Sequence, residues 1–367
     1  MTSNATLFKT KEHYKILDGL RGIAAIAVVI FHFMEFVYPD YRDNFIAHSY
    51  LAVDFFFCLS GFVIAYAYDN RIDKIGVFSF LKLRLIRLHP MVFVGAIIGL
   101  LIFILDPFSN LFAKYGGTNT FLMFLSSAFM IPFPVVHERY FNIFHLNPPT
   151  WSLFWEYLAN VIYVFLLVKI RNKVLWLMLA IAGVVLVYTS FHFKNLAVGW
   201  GGDNFWGGGA RIFFSFIAGM LIYRSNWILK SSLSFAALSI ILFGIFMIPY
   251  SDDVNWYLDP IIVILIFPLL VSLGAGARLT PCFTNGCKFL GGISYPLYII
   301  HYPFLWLFLS YIEVNKPSLM QMNIITAIST LFLIVTAYFV LKYVDEPFRK
   351  ILKNSISVQT QTEKKMG

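Results

Sequence analysis

The chain has 367 residues, of which 59% are hydrophobic and only 13% are charged. Soluble proteins are about half apolar and about a quarter charged, so this balance excludes a soluble protein and favours an all-α, polytopic membrane protein. The formal charge of +9 does not indicate a nucleic-acid partner, because Lys and Arg cluster in short segments between apolar runs, the arrangement that sets membrane topology.

Apolar runs follow one another along the whole chain. They lie at 17–37, 50–68, 88–105, 119–133, 150–169, 174–191, 208–224, 231–250, 256–273, 291–312 and 321–343. A helix that crosses a bilayer needs about 20 residues. The basic segments between the runs fit one path only if the short run at 119–133 does not cross. The sequence therefore predicts about ten transmembrane helices plus one short re-entrant or interfacial helix.

The basic segments also predict which loops share a side of the membrane. Those predicted to be cytoplasmic are 9–15, 74–87, 169–173, 224–230, 278–288 and 342–353. Those predicted to face outward are 38–49, 191–207, 251–256 and 313–318. Both termini are then cytoplasmic, with an integral membrane domain over 1–353 and a polar, disordered tail over 354–367. The three cysteines make no metal-binding pattern, so no metal site is predicted.

The first helix carries ionisable residues that are costly in a membrane and usually functional. Arg21 and His32 are eleven residues apart, so they share one helical face, with His32 about 16 Å farther along. Asp18 precedes them and is a candidate helix cap or partner of Arg21. Asp54, near the start of the second helix, is predicted at the depth of His32. A carboxylate there would orient the imidazole as a general base, although a structural role for Asp54 stays open.

A pair of arginines opens the third helix. Arg84 and Arg87 are three residues apart and face the same way. Two guanidinium groups suit phosphate or pyrophosphate, but from charge alone an ordinary positive-inside anchor is favoured.

Later helices carry further buried polar candidates. Ser152 and Glu156 share a helical face, and Glu156 needs a partner, for which Arg211 is one candidate. His301 follows Ser294 by seven residues on one face of its helix. For Glu156 and Arg211 a purely structural pair is equally compatible with the sequence, and for His301 a satisfied core histidine is favoured.

Seven segments together resemble the bacterial membrane acyltransferase family 3. In chain order they are LDGLRGIAAIAVVIFH, AVDFFFCLSGFVIA, RLIRLHP, PTWSLFWEY, ARIFFSFIAGM, GGISYPLYIIHYP and VDEPFRK. The resemblance implies a ten-helix enzyme that moves an acyl group, commonly acetyl from acetyl-coenzyme A, to extracytoplasmic glycans or other envelope acceptors. The chain departs from the family where Phe154 and Trp155 precede Glu156. It also has no hydrolase-like extension after the last helix, so any step of that extension is expected from a separate protein.

The resemblance covers seven of the candidates. It implies His32 as the catalytic histidine, Arg21 as the arginine of the same motif, and Arg84 with Arg87 as the coenzyme A site. Asp54, Glu156 and Arg211 match polar positions of the later helices. Together with the depth and spacing of the polar residues, this predicts Asp54 and Glu156 to be catalytic, and it predicts three residues to support the acceptor side: Arg211, Ser152 and His301.

The residue patterns and the resemblance together predict an O-acyltransferase of the bacterial inner membrane. Its predicted partners are acyl-coenzyme A, a glycan acceptor and the lipid bilayer, with no permanently bound cofactor and no nucleic acid; homo-oligomer formation is left open. A transporter or flippase for a glycan or lipid-linked sugar is the alternative, since it also places polar residues in membrane helices. A membrane sensor or scaffold, in which the polar residues form structural ion pairs, is a third possible function. The acceptor and the acyl chain are not predicted.

Overall fold

The computed structural model describes residues 14–352, which fold into helices joined by short loops. Most of the basic segment predicted at 9–15 and the tail predicted to be disordered at 354–367 lie outside this range. The helices are α1 (Lys15–Val37), α2 (Ala52–Tyr68), α3 (Ile72–Ile75), α4 (Val77–Leu105), α5 (Leu111–Phe129), α6 (Thr150–Phe165), α7 (Asn172–Phe193), α8 (Phe205–Arg224), α9 (Phe235–Phe246), α10 (Asn255–Ile261), α11 (Phe267–Gly276), α12 (Thr284–Asn315) and α13 (Leu319–Val340). Within the described range, β-pairing is limited to isolated bridges.

Within residues 14–352, eight helical segments are long and apolar enough to cross a membrane. Two of them are extended by a π-helical turn: Ile262–Ile266 joins α10 to α11, and Leu341–Asp345 continues α13. The other two predicted spans correspond to α6, with 16 residues, and α9, with 12 residues. The all-α, polytopic membrane architecture is confirmed.

Helix α5 differs from the spanning helices in both composition and contacts. It is not among the eight apolar spans, and its backbone breaks at Gly116, where φ is 71°. Lys114 and Tyr115 at its start both bind Glu138 of the following loop. After α5 ends, the Phe133 N–H donates to the Ile143 carbonyl of that same loop, at 2.9 Å. Its two ends therefore approach one loop, in agreement with the prediction of a segment that does not cross.

Two helix pairs position the polar residues of the interior. Helix α1 packs along α12, and α2 packs along α8. The second pair is very close: a Cβ added to Gly61 would lie 2.0 Å from the Phe216 carbonyl oxygen, and one added to Gly219 would lie 2.0 Å from the Cys58 oxygen. Glycine is required at both positions because any side chain would separate the two backbones. The backbones of α2 and α8 are therefore in direct contact in the interior of the bundle.

The loops group at the two ends of the helices as the basic segments predicted. At one end, Arg224 binds Asp69 and the carbonyl groups of Leu167 and Ile170. At the other end, the Asn195 amide binds Tyr250 at 2.9 Å. There His48 also contacts the Ile248 carbonyl oxygen at 2.8 Å. Loops assigned to one side by charge thus meet in space.

Candidate active site

The structure contains a cavity of about 290 Å³ at the end of the helix bundle where the predicted outward loops meet. His32 and Glu35 line it, together with many aromatic side chains. The aromatic lining residues are Phe31, Phe36, Tyr41, Tyr50, Tyr140, Trp151, Trp200, Tyr298 and Tyr302. We call this space the outer cavity. Its combination of aromatic faces and a few polar groups is typical of a small-molecule or sugar site.

His32 is oriented by a carboxylate on its own helix. Its Nδ1 lies 2.6 Å from Oε2 of Glu35, one turn later in α1, and Oε1 of Glu35 accepts a hydrogen bond from the Tyr41 hydroxyl at 2.5 Å. Burial, and then the Glu35 charge, raise the pKa of Tyr41 far above its usual value, so this loop residue stays a donor. A carboxylate on Nδ1 fixes the tautomer and leaves Nε2 as the nitrogen that can accept a proton from a substrate.

The predicted contact between Asp54 and His32 is wrong. Asp54 forms a buried ion pair with Arg211 of α8, with a shortest distance of 2.6 Å, and both side chains are almost fully inaccessible. Arg211 also donates to the carbonyl groups of Tyr50 and Val198. A buried arginine carries a full charge and therefore needs a carboxylate partner more than a neutral imidazole needs one. Asp54 is accordingly held by Arg211, and the pair supports the wall of the outer cavity.

His301 lies directly beside His32. The two rings stack with centroids 5.4 Å apart, and the Nδ1 of His301 lies 2.8 Å from the Tyr298 carbonyl oxygen of its own helix. Because a carbonyl can only accept, Nδ1 carries the proton, and Nε2 of His301 is left without a hydrogen-bond partner among the described residues. The predicted preference for a core histidine fits its complete burial, yet the contact places it against the site.

A second cavity, of about 310 Å³, lies toward the opposite end of the bundle. We call it the inner cavity. Its lining includes four arginines and two carboxylates: Arg21, Arg71, Arg84, Arg87, Asp18 and Glu156. The excess of two positive charges suits an anionic ligand. The predicted shared face of Arg84 and Arg87 is confirmed, since both line this space.

Glu156 belongs to the inner cavity and not to the outer one. It pairs with Arg84 at 3.0 Å and accepts from the Ser60 hydroxyl at 2.9 Å. The predicted pairing of Glu156 with Arg211 is therefore wrong, because Arg211 is already held by Asp54. Glu156 lies far enough from the outer end of α6 to be at the depth of Arg84 and Arg87 on α4.

Two more arginines of the inner cavity, Arg21 and Arg87, are also held in place. Arg21 donates to the Ser294 hydroxyl at 2.9 Å and to the Gly291 carbonyl at 2.8 Å, and it pairs with Asp18 at 3.3 Å, as one of the alternatives for Asp18 predicted. Arg87 lies over the Tyr295 ring and 4.0 Å from the buried Asp345 carboxylate. Asp345 lies in the segment VDEPFRK, in which the sequence predicts no site residue.

Comparison with known proteins identifies the family. Residues 14–343 match the model of the acyltransferase 3 family, described as an acyltransferase domain. The chain belongs to the acyltransferase 3 family. It is therefore a membrane acyltransferase, as the seven segments predicted, and no solved structure matches it.

Curated relatives of this acyltransferase agree with the assignment. Over 192 residues, half of the chain, it is 32% identical to a Rhizobium radiobacter protein named protein 2 in the picA locus, 97% of which is covered. Over 95% of the chain it is 24% identical to Staphylococcus aureus proteins of strains COL and MSSA476, whose names provisionally call them O-acetyltransferases. The acyltransferase spans 59% of the length of these staphylococcal relatives.

Proposed function

We propose that this acyltransferase moves an acyl group, most simply acetyl, from cytoplasmic acyl-coenzyme A to a hydroxyl group of an extracytoplasmic or lipid-linked glycan. It would act in the bacterial inner membrane with both termini in the cytoplasm. One observation carries the proposal: an arginine-rich cavity and a histidine-bearing cavity lie end to end and share the lining residues Val53 and Tyr298.

The inner cavity suits the donor. Coenzyme A carries phosphate groups at one end and a thioester at the other, and guanidinium groups bind phosphate with two parallel hydrogen bonds. Arg84 and Arg87 would bind the phosphates at the cytoplasmic end. The pantetheine arm is about as long as half of a bilayer, so the thioester would reach the boundary with the outer cavity while the nucleotide stays inside.

The outer cavity suits the acceptor. A sugar presents hydroxyl groups at its edges and C–H groups on its faces, which match the polar and aromatic lining. His32, held by Glu35, would take the proton from the acceptor hydroxyl as it attacks the thioester carbonyl carbon. A transient acyl group on His32 is the other route through the same residue.

Purified protein in liposomes tests the proposal against a transporter. Labelled acetyl-coenzyme A is supplied together with a lipid extract of the producing bacterium, which contains its lipid-linked glycans. Covalent transfer of label to the glycan fraction, with stoichiometric release of coenzyme A, supports the enzyme. Movement of glycan across the bilayer without covalent label would contradict the enzyme and support the flippase.

Replacing Glu35 by Gln should lower kcat by about 10- to 100-fold without raising KM for acetyl-coenzyme A, because the amide preserves size but not the charge that supports protonated His32. The comparison is with Glu313→Gln, a substitution at a carboxylate that lies outside the lining of both cavities. Steady-state transfer rates measure both variants. Equal rates for Glu35→Gln and the wild type would contradict the orienting role.

Replacing Arg84 and Arg87 together by Gln should raise KM for acetyl-coenzyme A by more than about 10-fold, because each charged hydrogen bond to phosphate contributes roughly 1.5–3 kcal/mol. Lys82→Gln on the same helix, outside the lining of the inner cavity, is the matched control for lost positive charge. An unchanged KM in the double variant would place the donor elsewhere.

A further inference from the structure

The boundary between the two cavities is formed by three residues. Val53 and Tyr298 line both cavities, and Ser152 lines the inner one. The hydroxyl oxygens of Ser152 and Tyr298 are 2.8 Å apart, and both side chains are buried. A hydrogen-bonded pair therefore bridges α6 and α12 at the boundary between the two cavities.

The direction of this hydrogen bond follows from counting protons. The Ser152 hydroxyl also lies 2.9 Å from the Pro149 carbonyl oxygen, which can only accept. Ser152 has a single hydroxyl proton, and it is donated to Pro149. The Tyr298 hydroxyl consequently donates its proton to the Ser152 oxygen. Tyr298 thus presents a donor at the boundary whose current acceptor is a neutral hydroxyl.

Tyr298 is also linked to the histidines of the outer cavity. His301 lies one turn later on α12, with its ring centroid 5.9 Å from that of Tyr298 and 5.4 Å from that of His32. The Tyr298 phenol and the His32 imidazole both line the outer cavity, and the His301 ring contacts both of them. This places a hydrogen-bond donor and a general base around one space.

We propose that the acyl thioester enters between Val53 and Tyr298, and that the Tyr298 hydroxyl turns from Ser152 to donate to the thioester carbonyl oxygen. This inference rests on the proposed function and adds a catalytic residue to it. The acceptor oxygen attacks the carbonyl carbon, forming the C–O bond, while negative charge develops on the carbonyl oxygen beside Tyr298. The C–S bond then breaks and its electron pair leaves with the coenzyme A sulfur. His32 takes the acceptor proton and returns it to that sulfur, and Tyr298 keeps its own proton throughout.

Tyr298→Phe removes the donor and keeps the ring. We expect kcat to fall by about 100-fold or more, the usual effect of removing one oxyanion donor, with KM for acetyl-coenzyme A within about twofold of the wild type. Ser152→Ala leaves the Tyr298 proton available and should lower kcat by less than about 10-fold. Tyr311→Phe, whose ring contacts Phe108 outside both cavities, is the matched control and should keep the wild-type kcat.

A second pair of variants tests the passage without touching the hydroxyl. Val53→Ala widens the opening and should raise the ratio of butyryl to acetyl transfer, whereas Val53→Phe should lower that ratio. Binding of free coenzyme A, measured by calorimetry, should be unchanged in both because the phosphate end lies at the arginines.

Each result decides one claim. A wild-type kcat in Tyr298→Phe would overturn its role as a donor, and an unchanged butyryl-to-acetyl ratio in both Val53 variants would overturn the passage. If Tyr298→Phe does not fold, the Val53 variants still test the passage on which the donor role depends, and an unchanged butyryl-to-acetyl ratio in both would overturn the inference. Failure of the wild-type protein to transfer any label from acetyl-coenzyme A would instead refute the proposed function.

Discussion

His32→Ala should abolish acyl transfer while leaving the protein inserted and folded. A positioned general base contributes about 100- to 10,000-fold to a rate, and His32 is the imidazole whose Nδ1 is held by Glu35 in the outer cavity. His32 and Glu35 are both partly exposed, at 22% and 19%, and Glu35 keeps its hydrogen bond from Tyr41, so removing the imidazole leaves no fully buried charge without a partner. Transfer of labelled acetyl groups to the glycan fraction measures the loss, and thermal melting in detergent checks the fold.

A matched control is available on another helix. His192 is exposed near the end of α7, and His192→Ala should keep the wild-type rate. Wild-type turnover in His32→Ala would exclude His32 from the chemistry. Mass spectrometry of the wild-type protein after incubation with acetyl-coenzyme A alone separates the two routes, because an acetyl group on His32 indicates the carrier and an unmodified peptide indicates the base.

Arg211→Met should have the largest effect on stability. The substitution leaves the Asp54 carboxylate buried without its partner, and breaking a buried ion pair in this way costs about 3–5 kcal/mol. Arg211 also satisfies the Tyr50 and Val198 carbonyl groups, whose hydrogen bonds would be lost. We expect a lower yield of folded protein and a reduced melting temperature, measured by thermal unfolding in detergent.

Two comparisons make this prediction specific. The combined variant with Asp54→Leu should recover part of the lost stability, because an apolar pair carries no uncompensated charge. Arg42→Met removes a pair with Asp40 of similar geometry on the exposed surface, and it should change the melting temperature little because water screens that pair. A melting temperature for Arg211→Met equal to that of Arg42→Met would show that the buried pair does not hold α2 against α8.

Helical geometry explains which features the sequence could predict. Apolar length and basic loops gave the spans and the grouping of their ends, since both are set locally by the bilayer. Arg21 and His32 were placed on one face by the 3.6-residue turn, and the structure puts them in the inner and outer cavities that lie end to end. The pair Arg84 and Arg87 was predicted for the same reason.

Contacts between helices were beyond the same reasoning. Counting residues along each helix placed Asp54 and Glu156 at the same depth in the membrane as His32. Which residue each carboxylate pairs with depends instead on which helices are in contact. Because α2 contacts α8, Asp54 pairs with Arg211, and because α6 contacts α4, Glu156 pairs with Arg84. Glu35 was missed although its spacing of three residues from His32 was visible in the sequence. That spacing is the signal that would have found it.

The most direct test of the account is the sidedness of the reaction. Sealed inside-out and right-side-out vesicles from the producing cells are each given external labelled acetyl-coenzyme A, which does not cross membranes. The two-cavity arrangement predicts transfer to glycan only in inside-out vesicles, with the new ester protected from an external esterase until the membrane is opened. Equal transfer in intact right-side-out vesicles, or immediate loss of the label from inside-out vesicles on adding esterase, would show that donor and product share one face and would contradict transfer through the boundary at Tyr298.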